Sequence, residues 1–241
     1  MNLTVKEAAR LLQTTENTIY RWVHEGTIPS HRINDKFRLN RVELLEWATA
    51  RGIKVSPEIF HPPLVGEEEP LPPKFLTAAL RRGGILRDVG GVDTKGVLRA
   101  VCDRVELPAG VSRDDLFCVL MAREALGSTA IGNGIAIPHP RGPIILGVDQ
   151  PAVTLVYLRE GIDFGALDKQ LVNTLFVIVS PSVRLHLNLL SHLMYALQDE
   201  VFQKMLKERL DVEQMAGQVE VVESALERQA GSSHGAAEKT T

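Results

Sequence analysis

The sequence contains little of several features that mark particular classes of protein. Cysteine occurs only twice in 241 residues, which excludes a disulfide-stabilised secreted scaffold, and we expect Cys102 and Cys118 to be free thiols. No apolar run is long enough to cross a membrane, and no secretory signal is recognisable. A formal net charge of −3 argues against a protein that coats nucleic acid along its whole length. We therefore expect a cytoplasmic protein that does not insert into a membrane.

Patterns that bind nucleotides or metals are also missing. No GxxxxGK[ST] loop occurs, and the glycines of residues 127–134 do not form a GxGxxG between a strand and a helix. His139, His186 and His192 lack clustered carboxylates or cysteines at ligand spacing, which disfavours a metal site. The sequence indicates neither a cofactor nor a metal.

Charge and proline divide the chain into unlike parts. Residues 1–54 carry nine basic and six acidic groups, so this part is net positive although the whole chain is net negative. Residues 55–73 contain six prolines and the acidic run 67–69, a composition typical of an extended linker. We predict a small basic domain at 1–54, the linker at 55–73, a larger domain at 74–228 and a disordered tail at 229–241.

The pattern of the first domain predicts three helices and a hairpin. Thr4 and Glu7 have the spacing of a capping box at the start of a first helix. After a tight turn, Thr15 can cap a second helix, whose apolar residues recur at helical spacing. Residues 31–39 alternate around an Asn-Asp turn and predict a basic hairpin, and a third helix begins at Asn40.

This order of elements resembles the winged helix-turn-helix domains of excisionase and MerR-like regulators. The most specific matches are TIYRW at 18–22 and GTIP at 26–29. The resemblance implies binding to double-stranded DNA, with the second helix in the major groove and the hairpin on phosphates. The alternative is that these polar groups form only a solvated face. The candidate DNA contacts are Thr15, Asn17, Thr18 and Arg21 in the helix and Arg32, Lys36 and Arg38 in the hairpin.

The larger domain alternates between two kinds of pattern. Residues 95–105, 113–125 and 185–197 have helical periodicity, whereas 152–158 and 175–179 are short apolar runs of strand length. This alternation predicts an α/β fold in which a mixed sheet is flanked by helices.

His139 has the setting of a reactive histidine. It ends the apolar run 135–139, and the glycine-rich segment 127–134 comes before that run. A short buried strand closed by Pro138 would hold the imidazole at a rigid rim. A neutral imidazole is a competent nucleophile near pH 7, because its ordinary pKa is about 6.5.

Residues 123–141, REALGSTAIGNGIAIPHPR, resemble the phosphorylation-site signature of the IIA component of the bacterial sugar phosphotransferase system. The similarity is to the fructose/mannitol class and is greatest to its nitrogen-related branch. Arg123, His139 and His186 follow the family's order of arginine, acceptor histidine and second histidine. The resemblance implies an IIA-type mixed sheet and a phosphoryl group received on His139 from a small phosphocarrier protein.

The residue types around His139 suit this chemistry, since phosphoryl transfer needs mainly alignment and charge neutralisation. Arg123 offers a planar fork of donors, and His186 can donate a hydrogen bond. Pro140 departs from the family pattern, because it removes a backbone N–H where a small flexible residue is expected. The predicted phosphate loop comprises Gly127, Ser128, Thr129, Gly132, Asn133 and Gly134.

Three functions follow from these two resemblances. The first is a bacterial DNA-binding regulator, in which phosphorylation of His139 adds about two negative charges and changes which surface is favoured. The second is a working IIA component that relays the phosphoryl group onward, with the N-terminal module used for docking. The third is a sensor that has lost transfer. The expected partners are the phosphocarrier, double-stranded DNA and, as a homodimer, a second copy of the chain.

Overall fold

The chain folds into an N-terminal and a C-terminal part that meet through one apolar core. The Asn-Asp turn, most of the predicted linker and the last four residues lie outside the described residues. A computed structural model describes residues 2–33, 36–51, 53, 55–60, 72–107, 111–140 and 147–237.

The N-terminal part consists of short helices and strands. Its elements are β1 (Asn2–Leu3), α1 (Val5–Leu11), α2 (Glu16–His24), β2 (His31–Ile33), β3 (Lys36–Asn40) and α3 (Arg41–Ala50). Within the described residues the strands form one antiparallel sheet in the order β1-β3-β2. The predicted sequence of helix, turn, helix, hairpin and helix is confirmed.

Side chains at the helix starts account for these boundaries. The Oγ1 of Thr4 accepts a hydrogen bond from Glu7 N at 3.2 Å, and the Glu7 carboxylate accepts one from Thr4 N at 2.8 Å. Thr15 caps α2 by accepting from Thr18 N at 3.2 Å. These bonds satisfy amides that have no partner inside their helices, so the predicted capping box and cap are confirmed.

The C-terminal part is a sheet with helices on both faces. Its elements are α4 (Phe75–Gly83), β4 (Ile85–Val89), α5 (Thr94–Arg104), α6 (Arg113–Glu124), β5 (Ala130–Gly132), β6 (Ile135–Ala136), β7 (Ala152–Ile162), β8 (Val172–Val179), α7 (Val183–Ala196), α8 (Glu200–Glu208) and α9 (Val212–Ala237). The strand order is β4-β7-β8-β6-β5 among the described residues. Because β4 with β7 and β6 with β8 are parallel and the other pairs are antiparallel, the predicted mixed sheet is confirmed.

The sheet separates two apolar clusters because successive side chains of a strand point to opposite faces. Phe176 and Ile178 of β8 join the cluster that contains α4, α7, α8 and α9. Leu175 and Val177 join the cluster that contains α5 and α6. The first cluster is the one that continues into the N-terminal part.

The N-terminal part docks on the C-terminal part through α3 and a 3-10 helix (Pro57–Phe60). Helix α3 packs against β5 and α7, and the 3-10 helix packs against α1 and α7. Ile59 is fully buried, and Arg41 donates to the carbonyl oxygens of Glu58 at 2.9 Å and Ile59 at 3.2 Å. Residues 55–60 are therefore folded, and the prediction that an extended linker starts at 55 is wrong. Burial of Ile59 and the bonds from Arg41 offset the loss of chain freedom.

The C-terminal helix is longer than its sequence suggests. A disordered tail is predicted from Gln229, but the backbone of α9 is helical as far as Ala237. Helix α9 packs on α4, α7 and α8, which stabilises its helical turns. Each further residue then adds one backbone hydrogen bond, so the helix continues beyond the packed part.

Two expectations from composition can be compared with the structure. Cys102 is buried and Cys118 is exposed, and both are free thiols as predicted. Within the described residues, none of the helices combines the length and the apolar character needed to cross a membrane.

A buried carboxylate of α9 caps the start of α4. Glu223 is 3% exposed and accepts from Leu76 N at 2.7 Å, from Thr77 N at 3.1 Å and from Thr77 Oγ1 at 2.6 Å. The Nδ1 of His192 lies 3.0 Å from the same carboxylate. Burial by itself raises the pKa of Glu223, but the hydrogen bonds from His192, Thr77 and Leu76 lower it below its ordinary value.

Replacing Glu223 with alanine is expected to lower the free energy of unfolding by about 3 kcal/mol, since it leaves buried donors without an acceptor. Because the folded-state pKa of Glu223 is lowered, its contribution is present at neutral pH and is lost as the pH falls through that pKa. Urea unfolding of the full chain at several pH values measures both effects.

Glu220→Ala is the matched control for this substitution. Glu220 also reaches from α9 to the start of α4, where it pairs with Lys74 at 2.5 Å, but the pair is partly exposed. Its loss is expected to cost less than about 1 kcal/mol. Equal losses for the two variants would contradict the capping role of Glu223.

Candidate functional site

The end of β6 holds His139 in place from both sides. Ile137 N donates to Thr129 O at 3.0 Å, and Ile178 N donates to Pro138 O at 3.1 Å. Pro138 adds a restricted backbone. Alternation along the strand puts Ile135, Ile137 and His139 on one face, the face covered by α7. His139 is 5% exposed there.

The hydrogen bonds of the His139 ring determine its tautomer. Nδ1 lies 2.7 Å from the carbonyl oxygen of Ile137. A carbonyl oxygen only accepts, so Nδ1 bears the proton and Nε2 keeps its lone pair. The Nε of Arg123 donates to this Nε2 at 3.3 Å. Nε2 is therefore the nucleophilic nitrogen, and a cation lies directly beside it.

His186 is the second imidazole of the site. Its ring centroid is 5.1 Å from that of His139, and the residue is 4% exposed. Its Nδ1 is buried and has no hydrogen-bond partner among the described residues. His186 lies in the first turn of α7, which Ser182 caps, and a helix N-terminus favours negative charge. The unused nitrogen is suited to a phosphoryl oxygen.

Both imidazoles are uncharged at neutral pH. Burial, reinforced by Arg123 and opposed by the bond to Ile137, lowers the pKa of His139 to about 4. Burial, then the neighbouring His139 and Arg123, lowers the pKa of His186 to about 3. Among the described residues, the site thus combines an uncharged nucleophile with the permanent positive charge of Arg123, a combination suited to an incoming phosphoryl group.

The first half of the predicted phosphate loop adjoins the site, but its hydroxyl groups are already used. Arg123 donates from Nη1 to Gly127 O at 3.0 Å. Ser128 Oγ donates to Phe164 O, and Thr129 Oγ1 donates to Glu124 at 2.7 Å. The structure therefore gives Ser128 and Thr129 roles in holding the loop and not in donating to phosphate. Pro140 has no N–H to offer.

The second half of the predicted loop is not brought together with His139. Gly132, Asn133 and Gly134 have positive φ angles of 91°, 53° and 73° and form the tip of the β5–β6 hairpin. Ala130 pairs with Ala136, so about 15 Å of extended chain separates this tip from His139. The tip lines a separate cavity of about 450 Å³, together with Lys207 and Arg209 of the α8 end. Turn geometry explains the glycines at this tip.

Glu124 is a residue of the site that the sequence patterns did not identify. Its carboxylate accepts from Thr129 N at 2.9 Å and from Thr129 Oγ1 at 2.7 Å, which holds the segment after α6. Burial raises the pKa of Glu124, although the bonds from Thr129 oppose this. The sequence feature that could have identified Glu124 is a carboxylate in the last turn of a predicted helix, where negative charge is unfavourable.

The histidines do not form a metal site with neighbouring acids. Over the described ranges, no group of three or more His, Cys, Asp or Glu side chains could hold an ion. His192, which the sequence left as a third candidate ligand, pairs with Glu223 instead.

The outer face of α2 presents polar side chains at helical spacing. Asn17 and Arg21 are exposed, and His24 lies on the same face one turn further along. Thr15 caps the helix, and its hydroxyl lies 2.9 Å from that of the half-buried Thr18. Asn17, Arg21 and His24 therefore form an exposed polar row on α2. The sequence analysis had not included His24, whose signal was its spacing from Arg21.

The side chains predicted to contact phosphates lie on both faces of the β2–β3 hairpin. Arg32 is paired with Phe37, so both point to one face, whereas Lys36 and Arg38 point to the other. The Phe37 ring meets Tyr20 edge-on at 6.4 Å, which holds the hairpin against α2. Lys36 is exposed and Arg38 is half-buried.

Removing the guanidinium next to His139 should change the titration of its ring. Arg123→Gln is expected to raise the pKa of His139, because Arg123 disfavours the imidazolium form. Imidazole nitrogen NMR shifts followed from pH 3 to pH 8 measure this. In the wild type, both site histidines are expected to stay neutral down to about pH 5.

Arg99→Gln is the control, because Arg99 pairs with Asp114 at 2.7 Å outside the site. It should leave the titration of His139 unchanged. A His139 pKa that does not rise in Arg123→Gln would contradict the charge contact.

Known proteins are similar to both parts of the chain. Residues 79–219 match the family model described as "Phosphoenolpyruvate-dependent sugar phosphotransferase system, EIIA 2", and residues 3–52 match that of a helix-turn-helix domain. The nitrogen regulatory protein of Pseudomonas aeruginosa is 40% identical over 119 residues, 48% of this chain and 75% of that protein. That of Klebsiella oxytoca is 33% identical over 115 residues, 47% and 70% of the two chains.

A solved structure agrees with this assignment. The crystal structure of nitrogen regulatory protein IIA-Ntr from Neisseria meningitidis aligns with a TM-score of 0.52 and 28% identity. The alignment covers 60% of this chain and 98% of that one. The first family model spans more than half of the chain. The chain therefore belongs to the EIIA 2 family of the phosphoenolpyruvate-dependent sugar phosphotransferase system, here joined to an N-terminal helix-turn-helix domain.

Proposed function

We propose that this protein is a DNA-binding regulator whose IIA-type domain accepts a phosphoryl group on Nε2 of His139. The donor would be the phosphocarrier protein of the phosphotransferase system. One observation supports this above all. The Nδ1 proton of His139 is bound to Ile137, so Nε2 keeps its lone pair, which accepts from Arg123, and the second imidazole lies 5.1 Å away between ring centroids.

The transfer would be a single displacement at phosphorus. The lone pair of Nε2 forms the new bond to phosphorus as the bond to the donor imidazole breaks, and that bonding pair leaves with the donor ring. The Nδ1 proton stays in place, and the Ile137 carbonyl stabilises the positive charge that the ring then gains. Nε2 needs no base to activate it, because its pKa already leaves it unprotonated.

Neighbouring groups would stabilise the phosphoryl oxygens. Arg123 would turn its donors from Nε2 to the oxygens, and the unpartnered Nδ1 of His186 would donate if it carries the ring proton. The N-terminus of α7 adds a favourable dipole. Pro140 offers no N–H, so these groups are the ones proposed to stabilise the phosphoryl oxygens.

A regulatory role is favoured over sugar transport by the relatives and by the first domain. The Pseudomonas and Klebsiella relatives are named nitrogen regulatory proteins. The exposed row of Asn17, Arg21 and His24 on α2 supports contact with DNA bases. A relay component, the alternative, would have to hand its phosphoryl group to a second protein.

The full chain incubated with the general phosphotransferase components and labelled phosphoenolpyruvate should become labelled on His139. The label should be acid-labile and stable in alkali, as expected for a phosphoramidate. His139→Ala should abolish it. His186→Ala and Arg123→Ala should slow labelling by roughly a hundredfold, because each removes stabilisation of the transferring group.

His24→Ala is the matched control, since it removes an exposed histidine outside the site. Its labelling should equal that of the wild type. Label that persists in His139→Ala would refute the assignment of the acceptor.

Affinity of the full chain for its preferred duplex should fall steeply with salt, because phosphate contacts release counterions. Arg21→Ala should reduce the preference over unrelated duplexes by about 1 to 3 kcal/mol if Arg21 reads a base. Lys36→Ala should weaken all duplexes alike. Fluorescence anisotropy over a range of salt concentrations measures both quantities.

Lys95→Ala in α5 removes an exposed lysine from the C-terminal part and serves as the control. A loss of affinity equal to that of Lys36→Ala would mean that the hairpin has no special role. Absence of any salt-dependent affinity would favour the docking-module alternative.

A further inference from the structure

The surface formed by β5 and α7 is occupied by the protein's own N-terminal part. Helix α3 packs on both elements, and the 3-10 helix Pro57–Phe60 packs on α7. Leu44, Leu45 and Ile59 belong to the same apolar cluster as Ile131 of β5 and Leu189 of α7. We call this region the β5–α7 surface.

The neighbouring strand β6 and the same helix α7 present the phosphoryl-acceptor site. His139 follows the end of β6, which pairs with β5, and α7 contains His186. Ile137 belongs to the cluster that includes α3, and His139 points to the same face of the sheet as Ile137. The acceptor imidazole therefore faces the side on which the N-terminal part is docked.

Access to His139 is restricted in this arrangement. His139 and His186 are each about one-twentieth exposed. A phosphocarrier must bring its own phosphorylated side chain to bonding distance, and a protein–protein contact usually covers about 800 Å² on each partner. The N-terminal part already lies on this side of the sheet, so such a contact competes with it for space.

We infer that the β5–α7 surface is shared by two occupants, the N-terminal part of this chain and the phosphocarrier protein. Phosphoryl transfer then proceeds from a form in which α3 and the 3-10 helix have left the surface. This inference rests on the proposed function of His139. The rate of phosphorylation then depends on the fraction of molecules in which the N-terminal part is docked.

The docked form keeps its DNA-binding face open. Asn17, Arg21 and Lys36 are exposed while α3 is packed against β5 and α7. A phosphoryl group on His139 would place about two negative charges in a buried site on the docked side of the sheet, which disfavours the docked form. Phosphorylation and docking therefore oppose each other, and either one changes how the DNA-binding part is held.

Substitutions at Ile59 test the inference in the full chain. Ile59 is fully buried within the docked 3-10 helix, so Ile59→Ala and the stronger Ile59→Asp should release the N-terminal part. Release should raise the initial rate of His139 labelling roughly tenfold, because a larger fraction of the chain is competent. Leu98→Ala is the matched control, since it removes a fully buried side chain from the opposite face of the sheet.

A second readout does not need the phosphocarrier. Diethylpyrocarbonate acylates accessible neutral imidazoles, and peptide mass spectrometry gives its rate at each histidine. The rate at His139, relative to the exposed His24, should rise in both Ile59 variants and stay unchanged in Leu98→Ala. Fluorescence of Trp22 and Trp47, the only tryptophans in the sequence, reports whether the N-terminal part remains folded.

The outcomes separate the two proposals. If the wild type is labelled and the Ile59 variants are labelled at the same rate, the shared surface is refuted while the proposed function stands. If neither the wild type nor any Ile59 variant is labelled, the proposed function is refuted. An unchanged modification rate at His139 in both Ile59 variants overturns the inference whatever the labelling shows.

Discussion

The hydrogen bond from Nδ1 of His139 to the carbonyl oxygen of Ile137 is the interaction on which the site depends. It joins the His139 ring to the backbone of its own strand, so the sheet sets the direction in which Nε2 points. It also holds the ring proton on Nδ1, so that Nε2 keeps its lone pair. The guanidinium of Arg123 then lies beside that nitrogen, and a second imidazole lies next to the ring.

Burial gives this arrangement its chemical character. Taking both imidazoles out of water lowers the pKa of each well below its ordinary value, and Arg123 lowers both further. The imidazole faces the side of the sheet on which one apolar cluster extends from the core of the C-terminal part to α3. Under the proposed function, that cluster links the chemistry of the site to the docking of the N-terminal part.

The cluster also provides the contact through which, under the proposed function, the N-terminal helix-turn-helix domain would respond to the chemistry of the larger domain. A proline-rich tether alone transmits little information about orientation. Here residues 55–60 fold against α1 and α7, and Arg41 binds their carbonyl groups. The contact between domains is an interface with its own free energy, and any event that changes this free energy changes both domains.

Local patterns in the sequence determined the helix caps at Thr4 and Thr15, because caps depend on short-range hydrogen bonds. They also determined the mixed α/β fold, which follows from periodicity. The order Arg123, His139, His186 was readable because most of it lies in a contiguous motif. Local patterns did not determine which glycines of residues 127–134 lie near His139, since the strand register carries Gly132–Gly134 to the far end of a hairpin. They also missed Glu124, whose partner Thr129 becomes its neighbour only after the chain turns. The docking of α3 and Ile59 on the β5–α7 surface was decided by tertiary structure alone, because apolar side chains carry no record of which of two cores they will join.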